Sequence, residues 1–251
     1  MKVVYQYPEV MTGEYMTTCG GCGHGLVTKL LGEVIDELEI AQDTLLVLPI
    51  GCSTNAWKYF KLDSFCALHG RAPAVATGMK RALPDKIVIT YQGDGDLASE
   101  GLSEIMHAAI RGEKISVIFI NNTIFGMTGA QMAPTTILGQ VTSTSPVGKN
   151  VEDAGYPVLM ADLIAQIPGC YYSERVALDN LQNIRKTKNA IKRAIQFQQE
   201  GHGLSFVEVL SPCPTGWKMS PVDALHWLTE RALPNYPLGA KKVPEVMSNE
   251  V

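Results

Sequence analysis

The sequence has no hydrophobic run long enough to enter a bilayer. Its longest apolar stretches, such as residues 117–120, fall far short of the roughly 20 residues a membrane helix needs. The first ten residues carry no basic stretch followed by an apolar core, so a secretory signal is not expected. Basic clusters are also scarce, the densest being Arg185-Lys186-Thr187-Lys188 in a chain of net charge −4. Nucleic acid is therefore not an expected partner, because neutralising phosphates takes clustered lysine and arginine. No internal repeat or low-complexity tract interrupts the chain. These absences leave a non-membrane, cytoplasmic protein as the expectation.

What is present suits a packed globular fold. Of 251 residues, 46% are hydrophobic and 18% charged, enough apolar material for one ample domain over 1–251, although two small ones are possible. Apolar residues at Leu26, Val27, Leu30, Leu31, Val34, Ile35 and Leu38 keep a helical period. The β-rich run 44–48 stops at Pro49 and Gly51. A helix is expected from about Arg71, with Pro73 in its first turn and Val75 and Met79 facing inward. Strands are predicted at 87–91, 115–120 and 205–210, and helices at 98–111 and 179–199. Strands that read as unbroken apolar runs are covered on both faces, as in parallel sheets. Alternating strands and helices then predict an α/β fold with a mainly parallel sheet flanked by helices. Residues 123–156, rich in Thr, Gly, Ser and Pro, have no period and read as an active-site loop. Residues 237–251 read as a C-terminal tail lying over a partner.

Two motifs close neighbouring strands. Tyr91-Gln92-Gly93-Asp94-Gly95-Asp96 ends one, Ile120-Asn121-Asn122-Thr123 ends the next, and the 25 residues between Gly95 and Asn121 suffice for one crossover helix. A right-handed βαβ unit brings Asp94 and Asn122 together at the carboxyl edge of the sheet, where ligands of open α/β sheets bind. A carboxylate, an amide oxygen and a main-chain carbonyl suit Mg²⁺ shared with phosphates. Gly-Asp-Gly alone is more often a plain tight turn; paired with Asn-Asn at this spacing it is a strong signal.

Six cysteines exceed what packing requires, and in a reducing compartment a Cys-x-x-Cys reads as metal-binding or redox-active. Cys19-Gly-Gly-Cys22-Gly-His24-Gly25 precedes the first helix, Ile50-Gly51-Cys52-Ser53 follows the first strand, and Ser211-Pro212-Cys213-Pro214 follows the last. Four thiolates complete a [4Fe–4S] cluster, and equally a tetrahedral zinc site; chemistry alone does not separate them. Cys66 and Cys170 match no ligand motif and read as small hydrophobes.

These motifs, with His69-Gly70-Arg71, occur in order over about 18–237. Together they resemble the thiamine-diphosphate-binding β subunit of 2-oxoacid:ferredoxin oxidoreductases, nearest to the branched-chain (2-oxoisovalerate) members. The resemblance implies the thiamine-diphosphate-binding fold. It makes Asp94, Asn122 and the Ile124 carbonyl the Mg²⁺ ligands, and Cys19, Cys22, Cys52 and Cys213 the ligands of one [4Fe–4S] cluster. Ile50, Gly51, Cys52, Ser53, His69, Gly93, Gly95, Asp96, Gly126 and Met127 would line the cofactor. His24 would serve the cluster loops by a hydrogen bond, while His107, His202 and His226 read as structural. Many members have Pro where Gly20 stands, which touches no ligand.

The implied reaction is oxidative decarboxylation of a 2-oxoacid to acyl-coenzyme A and CO₂, with electrons leaving to ferredoxin. The Glu that activates the aminopyrimidine has no candidate in this chain, so it is expected from an α subunit carrying the pyrimidine-binding domain. Further γ and ferredoxin-like δ subunits are expected beside it. The loop Phe125-Gly126-Met127-Thr128-Gly129-Ala130-Gln131 holds no cation before Lys149, and 2-oxoglutarate members often place Lys where Gly129 stands. With Pro134-Thr135-Thr136, Thr142-Ser143-Thr144-Ser145-Pro146 and Ala154-Gly155-Tyr156-Pro157, this points to 2-oxoisovalerate. The alternatives are a non-redox thiamine decarboxylase subunit, which has no use for four such cysteines, and a zinc-binding scaffold, which has none for Asp94 with Asn122.

Overall fold

The computed structural model describes residues 6–244. Its strands are β1 Thr44–Leu48, β2 Asp63–Cys66, β3 Ile87–Gly93, β4 Ser116–Asn121, β5 Ile124–Phe125, β6 Gln131–Met132, β7 Cys170–Ala177, β8 Leu204–Leu210 and β9 Gly239–Lys242. The helices are α1 Gly23–Glu37, α2 Ala72–Ala82, α3 Leu102–Ile110, α4 Val151–Ala154, α5 Met160–Ala165, α6 Leu181–Gln199, α7 Pro214–Trp217 and α8 Pro221–Trp227. A sheet of order β2-β1-β3-β4-β8-β7-β9 runs through them, parallel except for the β7–β9 pair. The mainly parallel α/β architecture expected from the alternating pattern is therefore the one adopted.

The strands read as continuous apolar runs are buried along almost their whole length, β4 and β8 completely. Each face of the sheet has its own core. On one, Leu31 and Ile35 of α1 and Ile191 and Ile195 of α6 cover Leu46, Ile89, Ile118 and Val207. On the other, Ala76 of α2, Ile105 of α3 and Ile164 of α5 cover Val47, Val88, Val117 and Phe206. Each helix thus turns its apolar stripe to the sheet. None of the described helices is long and apolar enough to cross a membrane.

Five strands were not foreseen, three of them, β2, β7 and β9, in the main sheet. β2 is an exposed edge strand without an apolar face toward the core. β7 carries Ser173, Glu174 and Arg175 mid-strand, which breaks the apolar run, yet Arg175 is wholly buried against Glu208. β9 lies in the expected tail 237–251 and pairs antiparallel with β7; residues beyond 244 lie outside the described ones. The helix expected at 98–111 is split into a π-helical turn, Gly95–Glu100, and α3, which starts after Gly101. The break is where the backbone passes the His69-Gly70 turn: Gly70 has φ +74, and a Cβ there would lie 2.6 Å from the Gly101 nitrogen. Residues 123–156 contain the β5–β6 hairpin and α4, and bury Thr135, Thr136, Gln140 and Lys149.

Candidate active site at the carboxyl edge of the sheet

Four neighbouring strands, β1, β3, β4 and β8, deliver the motifs to one edge. Ile50 to Ser53 follow β1, Asp94 follows β3, Asn122 follows β4 and Cys213 follows β8. The chain leaves β1 for the edge strand β2 and returns to β3 on the other side of β1. β1 and β3 therefore flank the topological switch point, the usual crevice of open α/β sheets. A crevice there is lined by His24, Ile50, His69, Asp94, Asn122 and Met127, with Gly51, Cys52, Gly93, Gly95, Asp96, Ile124 and Gly126 also on its walls. Ser53 is not on that lining; its hydroxyl is buried and unpartnered among the described residues.

Three oxygens converge in this crevice. The Asn122 side-chain oxygen lies 2.7 Å from the Ile124 carbonyl oxygen and 3.2 Å from Asp94 Oδ1. Rotating the amide would turn both approaches into hydrogen bonds; a cation between the oxygens satisfies the present orientation instead. Neighbouring ligands of an octahedral ion bound at about 2.1 Å stand about 3 Å apart, so the donor set fits Mg²⁺. The convergence depends on Thr123, a β-branched residue at φ +63, which turns the Asn122 side chain and the Ile124 carbonyl the same way. That strain is held by Gln140 Nε2 donating to Thr123 Oγ1 at 2.8 Å and Thr136 Oγ1 donating to the Thr123 carbonyl at 2.5 Å.

Burial raises the Asp94 carboxyl to about 7, against the opposing hydrogen bonds from Thr135 Oγ1 at 2.6 Å and Gly95 N–H at 2.9 Å. Asp96 also lies on the crevice wall, but its oxygens are occupied by the protein. Oδ1 accepts from Gly70 N–H at 2.7 Å and sits 3.3 Å from His69 Nδ1, while Oδ2 accepts from Gln92 Nε2 at 2.5 Å. Its role is to anchor the His69-Gly70 turn, which stacks the imidazole on Phe125 with centroids 6.2 Å apart.

The thiols adjoin this arrangement. Cys22 caps α1, and Gly23 N–H donates to the Pro212 carbonyl at 3.4 Å, tying the Cys-Gly-Gly-Cys turn to the Cys213 loop. Burial first, with the neighbouring thiols adding to it, raises Cys52 to about 11 and Cys213 to about 12. Gly126 stands between the thiols and the oxygens. A Cβ there would lie 3.3 Å from Cys213 Sγ, 3.8 Å from Cys52 Sγ and 3.5 Å from Asn122 Nδ2. Cys66 is exposed at the end of the edge strand, and Cys170 is buried at the opposite edge, where β7 begins. His24 is buried, its pKa lowered to about 4 by that burial, with Nδ1 2.9 Å from the Tyr91 hydroxyl.

Comparison with known proteins decides the family. Residues 49–209 match the thiamine pyrophosphate enzyme C-terminal TPP-binding domain. The 2-oxoglutarate synthase subunit KorB of Methanocaldococcus jannaschii is 35% identical over 223 residues, covering 86% of this chain and 77% of that one. The chain belongs to the family of 2-oxoacid:ferredoxin oxidoreductase subunits that bind thiamine diphosphate. The ketoisovalerate oxidoreductase subunit VorA of Methanothermobacter thermautotrophicus is 49% identical over 220 residues, 88% of this chain but 46% of that protein. The chain thus spans about half the length of that relative. In fold it matches the 2-oxoglutarate:ferredoxin oxidoreductase from Magnetococcus marinus, with a TM-score of 0.76 over 97% of this chain and 87% of that one, at 24% identity.

Within this oxidoreductase family site, two contributors escaped the sequence. Thr123 had no signal, since nothing in Asn-Asn-Thr-Ile announces a left-handed residue. Trp217 donates from Nε1 to the Asn122 carbonyl at 3.0 Å and stands only four residues after Cys213, close enough to the motif to have been considered. The cations near Gly129 were sought along the loop. Lys149 is instead buried, with Nζ 3.3 Å from the Pro134 carbonyl. Lys218 and Arg231, distant in sequence, line a separate cavity of about 350 Å³ on which Gly129 and Ala130 form one wall.

Proposed function

We propose that this chain is the thiamine-diphosphate, Mg²⁺ and [4Fe–4S] subunit of a 2-oxoacid:ferredoxin oxidoreductase that prefers branched-chain 2-oxoacids. The observation that carries this is the position of Gly126, which abuts both the Asn122 amide and the Cys52 and Cys213 thiols. Oxygen donors suited to a Mg²⁺–diphosphate and thiols suited to a redox cluster share one wall. A non-redox decarboxylase has no use for the second set. Among the described residues no three His, Cys, Asp or Glu side chains stand close enough to hold a single ion, which a zinc site with bonds of about 2.3 Å would need.

In this reading Asp94, Asn122 and the Ile124 carbonyl hold Mg²⁺, and Cys19, Cys22, Cys52 and Cys213 hold the cluster. Thiamine diphosphate, when bound, supplies the carbanion and electron sink for decarboxylation, and the cluster a one-electron acceptor. The chain's own tasks are to neutralise the diphosphate, orient the cofactor through the His69-Gly70 turn, and exclude water. Ile50, Phe65, Leu68 and Met127 are exposed apolar residues in the segments bordering this edge, which supports a partner subunit covering the site and supplying the activating Glu. Ferredoxin-side and coenzyme-A-binding subunits complete the complex.

For the substrate, the crevice has Ile50, Ile124, Phe125 and Met127 on its walls and neither Lys nor Arg. Burying an unpaired second carboxylate there would cost several kcal/mol, whereas an apolar tail gains ~0.8 kcal/mol per buried CH₂. The relative named for ketoisovalerate, at 49% identity, points the same way. The test is kcat/KM for ferredoxin reduction by the assembled enzyme with 2-oxoisovalerate, pyruvate and 2-oxoglutarate. Preference for 2-oxoisovalerate is expected; preference for 2-oxoglutarate would mean that a cation reaches the pocket from elsewhere.

A further inference from the structure

A chain of buried polar groups runs from Asp94 to the C-terminal segment and back to β4. Asp94 Oδ2 accepts from Thr135 Oγ1 at 2.6 Å, while Oδ1 accepts from Gly95 N–H at 2.9 Å and faces Asn122. The Thr135 carbonyl accepts from the Tyr236 hydroxyl. The Tyr236 ring lies 5.3 Å from the Arg175 guanidinium, and Arg175 Nη1 donates to the Pro237 carbonyl at 3.1 Å. Arg175 Nε donates to Glu208 Oε2 at 2.9 Å, and Glu208 Oε1 accepts from Asn121 Nδ2 at 2.7 Å. Asn121 in turn accepts from Thr123 N–H at 3.1 Å through Oδ1, and its amide faces the Tyr236 hydroxyl. Both strand ends that carry the proposed side-chain Mg²⁺ ligands are therefore gripped by one network. Asp94, Asn121, Thr135, Arg175, Glu208 and Tyr236 are all essentially inaccessible to solvent.

Stability alone does not account for such a network. A buried ion pair recovers its desolvation penalty only with excellent geometry, and apolar residues of like volume often serve as well. What the network provides is direction: with Gly95 N–H on Oδ1 and Thr135 Oγ1 on Oδ2, the carboxylate plane is fixed and Oδ1 presents its remaining lone pair along a set line. We propose that Thr135, held in place by Tyr236 and the Arg175–Glu208 pair behind it, is the positioning residue for Asp94. Thr135 fixes Oδ2, so that Oδ1 meets the cation without reorganisation, and Tyr236 fixes Thr135. The inference rests on the Mg²⁺ reading above. Outer-shell hydrogen bonds of this kind set metal affinity by about 10–100-fold.

The test measures thiamine diphosphate retained by the assembled complex in equilibrium dialysis at stepped Mg²⁺, with melting temperature recorded in parallel without metal. Thr135→Val keeps the shape and removes the donor, and should raise the half-saturating Mg²⁺ concentration by about 10–100-fold. Thr135→Ser, which keeps the donor, should restore the wild-type value, and Tyr236→Phe should shift it in the direction of Thr135→Val. If Thr135→Val or Tyr236→Phe lowers only the melting temperature and leaves Mg²⁺ half-saturation unchanged, the positioning role is refuted. Asp94→Ala separates the two readings. If it too retains cofactor with wild-type Mg²⁺ dependence, the magnesium assignment falls; if it loses cofactor while Thr135→Val does not, only the positioning inference falls.

Discussion

Replacing Asp94 with Asn should make the metal-free protein more stable and the site useless. Asp94 is buried, and its carboxyl is raised to about 7 from an ordinary value of 3.8. A raised carboxyl pKa means that folding favours the protonated form. Stability is therefore greatest below about 3.8, declines as pH rises, and reaches its full penalty above about 7. The gap corresponds to about 4 kcal/mol, an upper bound that relaxation of the surroundings reduces to roughly 2–4 kcal/mol. Asparagine carries no charge to bury and can still accept from Gly95 N–H while its amide donates to Thr135 Oγ1. For a protein of this size each kcal/mol moves the midpoint by about 2–4 °C, so Asp94→Asn should melt about 5–10 °C above wild type at pH 8 without metal. Between pH 4 and 7 its stability should lack the decline seen in wild type. The same variant should lose Mg²⁺-dependent binding of thiamine diphosphate, since the one charged ligand is gone. Differential scanning calorimetry at stepped pH with chelator, and dialysis with cofactor, read the two effects separately. A variant melting at or below wild type at pH 8 would refute the burial argument, and unchanged cofactor binding would refute the ligand assignment.

Two further outcomes follow from the proposed reading. Cys213→Ala should lose the iron and the brown absorbance of anaerobically prepared protein, whereas Cys66→Ala and Cys170→Ala should keep both; equal iron in all three would undo the cluster assignment. The chain purified alone should not reduce ferredoxin from any 2-oxoacid, and activity should appear on adding a subunit with a pyrimidine-binding domain; full activity of the chain alone would contradict the shared active site.

The sequence displayed the parts whose physics is local. Apolar runs at β3, β4 and β8 announced a sheet buried on both faces, and the spacing of Asp94 and Asn122 announced their meeting at one edge. The parts it concealed depend on distant partners. β7 was hidden because Glu174 and Arg175 look like surface residues until Glu208 and Asp162 stand beside Arg175. The π-helical turn after Asp94 was read as ordinary helix because its cause is the close passage of Gly101 against Gly70, 31 residues upstream in the chain. Asp96, expected along the cofactor, lines the crevice and also accepts from Gly70 N–H and Gln92 Nε2, partners that the sequence does not announce. Residues 123–156, without any period, hold only a short hairpin and one helical turn, and side-chain hydrogen bonds from Thr135, Thr136 and Gln140 tie the segment to Asp94 and Thr123.

Sheet order also explains why one glycine matters more than the length of the loop that carries it. Across the edge the strands run β1, β3, β4, β8, so the oxygen donors leave the two inner strands and Cys52 and Cys213 leave the two outer ones. In the proposed reading, thiols from opposite sides share one group only by passing over the segment after Asn122. That segment cannot be moved aside, because the Ile124 carbonyl must face Asn122 and Trp217 pins the Asn122 carbonyl from the Cys213 side. The space must come from the residue itself. At Gly126 even a methyl group would press within 3.3 Å of Cys213 Sγ, and Gly216 meets the same thiol from the other side, where a Cβ would stand 2.9 Å away. Two glycines thus frame Cys213, and a side chain at either would press on its sulfur.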